Sequence, residues 1–134
     1  MISDTEMVVR LVVATIAGSI VGFERGRLKK PAGMRTHMMV CTGAALFTLA
    51  ALSSFEPETA RVAAGIITGI GFLGAGTIFK EHVAIRGLTT AASLWTIAAV
   101  GLSIALGLYL MSVVAVILVL IILELSRIPY FKAL

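Results

Sequence analysis

Three short stretches hold most of the residues able to do chemistry: Glu24 with Arg25, Arg35 with Thr36, and a run containing Lys80, Glu81, His82, Arg86, Thr89 and Thr90. Carboxylates, bases and threonines in this mix suit ion pairing and recognition of an anion or a polar partner. The unpaired N–H groups in the first turn of helices starting near Arg35 and Leu88 would add donors for such a ligand. Hydrolytic and redox chemistry are not indicated. No Ser–His–Asp, Cys–His or paired-carboxylate constellation is apparent, so no enzyme and no cofactor are expected. Glu24 and Glu81 alone would leave a magnesium shell to be completed by water, and no cluster has metal-ligand spacing, so no metal site is expected. His37, beside Arg35, and His82 read as interfacial residues, and Trp95 as a core residue.

Composition sets what positions these residues. In 134 residues, enough for one domain, 59% are hydrophobic and 13% charged, with a mean hydropathy of +1.06. A soluble surface needs far more charge than this, so the lipid bilayer is the expected environment. The net charge of +4 does not imply nucleic acid, because the bases fall in the gaps between apolar runs instead of forming a groove. Cys41 stands alone, which excludes a disulfide framework. The opening "MISDTEM" is acidic where a cleavable signal would be basic.

The expected fold is an all-α, polytopic membrane bundle of about five transmembrane helices, at 7–23, 35–53, 60–79, 88–107 and 108–125. Each approaches the roughly 20 residues needed to cross a bilayer. The last two are separated by no polar loop, so a tight turn near Gly107 is predicted. With the N-terminus outside, Arg25, Arg27, Lys29, Lys30, Arg35, Lys80, Arg86, Arg127 and Lys132 lie inside, against Arg10 and Arg61 outside. Both outer bases have acidic neighbours: Asp4 and Glu6, and Glu56 and Glu58. Nine against two favours N-out, C-in.

Shifting the chain by 54 positions aligns Gly22 with Gly76, Gly33 with Gly87 and Thr42 with Thr96. This fits a parallel repeat of two helical hairpins, although an Ala/Gly-rich chain can also produce such an echo by chance. Gly18 and Gly22, and Gly65 and Gly69, are small residues one turn apart, suited to close helix packing. Gly69, Gly71, Gly74 and Gly76 are denser than packing requires. A bend there would free backbone carbonyls that lipid cannot satisfy, so helix three is expected at the centre of the bundle, with the bulky helix five outside.

Four helix ends then converge at one depth, carrying both signs of charge. Such groups are usually paired near a membrane core: Glu24 is expected to meet Arg35 or Arg86, and Glu81 another of these bases. Two readings stand for this layer. The charges could anchor topology at lipid phosphates, as Lys29 and Lys30 suggest. Alternatively Glu24, Arg25, Arg35, Thr36, Glu81, Arg86, Thr89 and Thr90 form a polar pocket or a docking surface.

The blocks "GFER", "AGMRT", "GIGFLGAG" and "RGLTTAASLW", within residues 10–107, resemble the bacterial MgtC/SapB membrane domain. That resemblance implies a multi-pass inner-membrane protein tied to magnesium homeostasis, low-magnesium growth and virulence. It also implies regulatory action through membrane partners such as ATP synthase; a homodimer is the expected assembly. By motif, Glu24, Arg25, Arg35, Thr36 and Glu81 fall on family positions. Thr89 stands where virulence-linked members carry Asn. The chain ends at "RIPYFKAL", where many members continue into a soluble domain, so none is expected here. The preferred expectation is a small regulatory protein that binds a partner at its cytoplasmic face. A transporter or channel for a small ion or solute is the alternative, and a purely structural or lipid-binding protein a third.

Overall fold

The computed structural model describes residues 2–54, 58–82 and 84–127. Glu56 and Lys132, used above to weigh orientation, lie outside them. Five helices are present: α1 (Asp4–Arg27), α2 (Met34–Ser54), α3 (Thr59–Ala75), α4 (Leu88–Ala105) and α5 (Tyr109–Glu124), with one 3₁₀ turn after α5. α1, α2 and α4 are long and apolar enough to cross a membrane.

α1 extends beyond its apolar run at both ends because both ends are capped. The Ser3 hydroxyl accepts the Glu6 N–H, Asp4 and Glu6 occupy the first turn, and Arg25 and Arg27 the last, each sign suiting the helix dipole. It stops where Lys29 turns left-handed (φ 52°), with Lys30 N–H donating to Arg25 O and Lys29 N–H to Gly26 O, a Schellman closure. α4 ends in the same way at Gly107 (φ 79°), where Leu108 N–H donates to Ser103 O and Gly107 N–H to Ile104 O. This is the tight turn expected from the absence of a polar loop.

The expectation of a wholly α-helical chain needs one correction. Phe79, predicted to end helix three, instead opens a ribbon in the turn before helix four, β1 (Phe79–Glu81) antiparallel to β2 (Ala84–Arg86), with Lys80 opposite Ile85. Gly76 and Thr77 turn the chain out of α3, and Gly87 (φ 92°) returns it to α4. A side chain at Gly87 would run into the Thr77 carbonyl, so glycine is required twice over there.

The centre of the bundle is α4, with nine buried residues including Thr90, Ser93, Ile97 and Gly101. α3, expected there, buries only Ile70 and Gly74. Its glycines explain this: a Cβ added at Gly65, Gly69 or Gly71 would meet nothing within 4 Å, so they permit an approach that no element among the described residues makes. α3 runs unbroken past Gly69, Gly71 and Gly74 and stops at Gly76, so the expected break falls at the last glycine of the run. Gly18 and Gly22, by contrast, do pack. A Cβ at Gly18 would stand 2.6 Å from His37 O, and one at Gly22 2.6 Å from Met34 Cα. Gly101 is pressed in the same way against the Cys41 carbonyl.

These contacts fix direction. Gly22 meets Met34 and Gly18 meets Cys41, so α1 and α2 are antiparallel. His37 meets Ser93 and Cys41 meets Gly101, so α2 and α4 are parallel. The 28–33 turn and the ribbon therefore lie at one end of the bundle, here called the ribbon end. At the other end Arg10 donates to Ala105 O (2.5 Å) and to Glu6 (2.9 Å), tying α1 to the α4–α5 turn. α5 shows Leu110, Ile117 and Ile122 to the outside, as expected for a lipid-facing helix. Trp95, expected in the core, is 51% exposed, because helix rotation turns it to the outer face of α4 while Leu94 on the other side is buried.

Candidate functional site

The eight polar positions singled out in the sequence do gather at the ribbon end, but they divide into three places. The first is interior. Glu24 and Arg25 sit at the last turn of α1, beyond Gly22, which holds α1 against α2. Close backbone packing draws both side chains inward, and Arg25 is among the largest fully buried side chains. Glu24 was expected to reach Arg35 or Arg86. It pairs instead with its neighbour Arg25, Nη1 to Oε2 at 3.5 Å, long for a charge-assisted bond of about 2.8 Å. The reason is distance in the fold: Arg35 points outward, and Arg86 lies on the ribbon. Glu24 Oε1 and Arg25 Nε, both buried, have no hydrogen-bond partner among the described residues. Each unmatched buried group costs on the order of 1–3 kcal/mol.

His37, read as interfacial from its neighbour Arg35, is fully buried. It projects from the opposite side of the first α2 turn. Its Nδ1 lies 2.9 Å from Gly33 O and its Nε2 3.0 Å from Ser93 Oγ, while the Ser93 hydroxyl donates to Thr90 O at 2.8 Å. Gly33 O and Thr90 O only accept. A neutral imidazole and one hydroxyl bring two hydrogens to three contacts; an imidazolium would bring three. With His37 neutral, the Ser93 hydrogen must choose between the imidazole and Thr90 O. The network links the starts of α2 and α4, and Ser93 drew no attention in the sequence. Its only advance signal was a hydroxyl one turn beyond Thr89 and Thr90. Thr90 is buried as part of this network, and Thr89 is exposed.

The second place is the ribbon. Glu81 and Arg86 form an ion pair at 2.8 Å, 49% and 66% exposed, which satisfies the expectation that Glu81 finds a base. In water such a pair contributes at most about 1 kcal/mol. All six strand residues are exposed, including apolar Phe79 and Ile85.

The third place is lateral. Arg35 and Thr36 stand at the mouth of a cavity of about 970 Å³ between α2 and α3. Arg35 is exposed, and none of the salt bridges among the described residues includes it. No group of three or more His, Cys, Asp or Glu able to hold a metal ion is found among the described residues.

The MgtC family model matches residues 11–129. The chain is 41% identical to the protein MgtC of Salmonella typhimurium over 113 residues, 84% of this chain and 49% of that protein. It is 45% identical to the protein MgtC of Brucella abortus over 115 residues, 85% of this chain and 48% of that one. It is 38% identical to the "Putative magnesium transporter YhiD" of Escherichia coli K12 over 128 residues, 89% of this chain and 60% of that protein. The chain thus spans about half the length of the curated relatives it matches. No solved structure matches it. A model match over most of the chain and relatives near 40% identity lead to one conclusion: this chain belongs to the MgtC family.

Proposed function

We propose that this chain is a non-enzymatic regulator in the bacterial inner membrane, acting by binding a membrane-protein partner at its ribbon end, which faces the cytoplasm. The observation that carries this reading is the ribbon itself. A two-stranded ribbon is marginal in water, yet this one has every strand residue exposed. It leaves two strand edges unpaired and shows Phe79 and Ile85 on opposite faces. An uncovered ribbon of this kind can accept a partner by strand addition or by apolar contact. The charge pattern supports N-out, C-in. The bases at the far end are each neutralised, Arg10 by Glu6 and Arg61 by Glu58, whereas Arg27, Lys29, Lys30, Arg35 and Lys80 crowd the ribbon end as exposed residues, on the side where positive charge is retained.

In this reading all five helices cross. α3, with 17 residues, spans about 26 Å at 1.5 Å per residue, and α5 gains length from its 3₁₀ turn. α3 is short for a core of about 30 Å, a mismatch met by local thinning. By family likeness the process served is adaptation to low magnesium or host stress. ATP synthase is one partner class, and a homodimer the working assembly.

A second reading, a transporter or channel, is favoured by the name that YhiD carries and by the unpartnered atoms of Glu24 and Arg25. Against it, the described carboxylates at this end, Glu24, Glu81 and Glu124, are each engaged by an arginine. Two measurements separate the readings. A photo-crosslinking residue at Ile85 should give one discrete adduct in cells, lost in Glu81→Lys and recovered in the swap Glu81→Lys/Arg86→Glu. Magnesium flux into proteoliposomes should equal that of protein-free vesicles. Flux above that level that disappears in Glu24→Gln would replace the regulator by a transporter.

A further inference from the structure

The cavity between α2 and α3 has a shape and a chemistry that the docking surface does not use. Its floor is closed by buried Ala44, Ile70 and Ala98. Its walls are kept low by Gly43, Gly65 and Gly69, where a Cβ would meet nothing within 4 Å. Polar lining is confined to one end, at Arg35 and Thr36. Along α2 the groove runs from Thr36 to Phe47, and along α3 from Leu73 back to Val62. Eleven residue-to-residue steps on each helix, at 1.5 Å each, give about 17 Å. The hydrocarbon core is about 30 Å thick, so one leaflet is about 15 Å. The groove is therefore one leaflet deep, apolar along its length and cationic at its mouth.

We propose that this groove holds one membrane phospholipid with an anionic headgroup, its phosphate on Arg35 and Thr36 and its acyl chain along the glycine-lowered channel. Charge complementarity selects the headgroup: Arg35 is exposed, at the lipid-headgroup level and outside the ion pairs that engage Arg25 and Arg86. A guanidinium and a hydroxyl together match phosphate oxygens. Length selects a lipid over a helix. A transmembrane helix from a second copy would need a path of about 30 Å, roughly twice the groove.

The test uses the full chain in nanodiscs of mixed phosphatidylglycerol and phosphatidylcholine, with retained lipid counted by native mass spectrometry. The wild type should keep one phospholipid, enriched in phosphatidylglycerol. Gly65→Leu/Gly69→Leu fills the channel in open space, so it should fold and lose that lipid. Arg35→Gln should keep a lipid but lower the phosphatidylglycerol preference about fivefold, the effect of one basic residue on a headgroup whose negative charge no choline ammonium balances. Equal lipid retention in the wild type and the filled variant would overturn the proposal. So would a dimer in the wild type that the filled variant dissociates with its lipid content unchanged, because the groove would then receive a second copy.

Discussion

Replacing Gly22 by alanine tests whether backbone contact between α1 and α2 holds the polar interior in place. The new Cβ would lie 2.6 Å from Met34 Cα and 2.9 Å from His37 Cβ, where ordinary contact begins at 3.4 Å. Relief requires the two helices to part by about 0.8 Å (3.4 − 2.6), and the nearest obstacle is backbone, which cannot rotate away. Overpacking of this kind costs about 1–3 kcal/mol. Alanine recovers up to about 1 kcal/mol of helix propensity, leaving a net loss of up to about 2 kcal/mol, a factor of up to roughly 30 in the folding equilibrium. Gly65→Ala is the matched control, because its Cβ enters open space and should be neutral or stabilising by up to about 1 kcal/mol. Both variants can be unfolded by SDS titration from mixed micelles and followed by helical circular dichroism. The same displacement shifts His37 against Ser93, so adding Ser93→Ala should cost less in Gly22→Ala than in the wild type. If Gly22→Ala proves no less stable than Gly65→Ala, close packing at this crossing does not hold the fold.

Arg25→Ala should lower stability by about 3–5 kcal/mol, because it strands the Glu24 carboxylate in the interior. The double replacement Glu24→Gln/Arg25→Met should recover at least half of that in the same titration. Arg10→Gln should cost about 2 kcal/mol through its charge-assisted bond to Ala105 O; a loss near zero would show that the α4–α5 turn does not need this tie. Lys30→Cys and Ala84→Cys should react with a membrane-impermeant maleimide from the same side of the membrane, while native Cys41, fully buried, stays unlabelled until denaturation. Labelling of positions 30 and 84 from opposite sides would remove the common layer on which the site depends.

The spans α1, α2 and α4 were legible because charged or capping residues bracket long apolar runs, and hydropathy registers both. The glycines were not. Gly18 and Gly22, and Gly65 and Gly69, present the same small-residue spacing, yet one pair is wedged against backbone and the other faces open space. Spacing reports that a helix could be approached closely; it says nothing of what approaches. Gly101 escaped notice because no second glycine stands one turn away, although it makes the closest approach to α2. The ribbon was hidden by its position, since Ile78 and Phe79 extend the apolar run of helix three, and only Gly87 hinted at a left-handed turn. The convergence of polar residues at one end was readable from the topology. Of their partners only a base for Glu81 was, because a partner depends on helix rotation, which places Arg35 outside and His37, two residues later, in the core.

That rotation bears on how the molecule can act. α1, α2 and α4 meet through glycines set directly against backbone, and an interior packed in that way is bistable or rigid, not continuously deformable. The buried pair Glu24–Arg25 and the His37–Ser93 bond lie within this packed interior, so any signal they carry would have to move whole helix ends. The ribbon is the element best placed to report such movement, since it joins α3, which buries two residues, to α4, which buries nine. A partner gripping the ribbon would therefore pull on the loosely held helix first. Displacement of α3 would open or close the groove lined by Gly65 and Gly69 before it disturbed the core. Docking at the ribbon and occupancy of the groove are thus expected to be coupled. By linkage, a partner that favours the closed groove must lose affinity when the groove is filled.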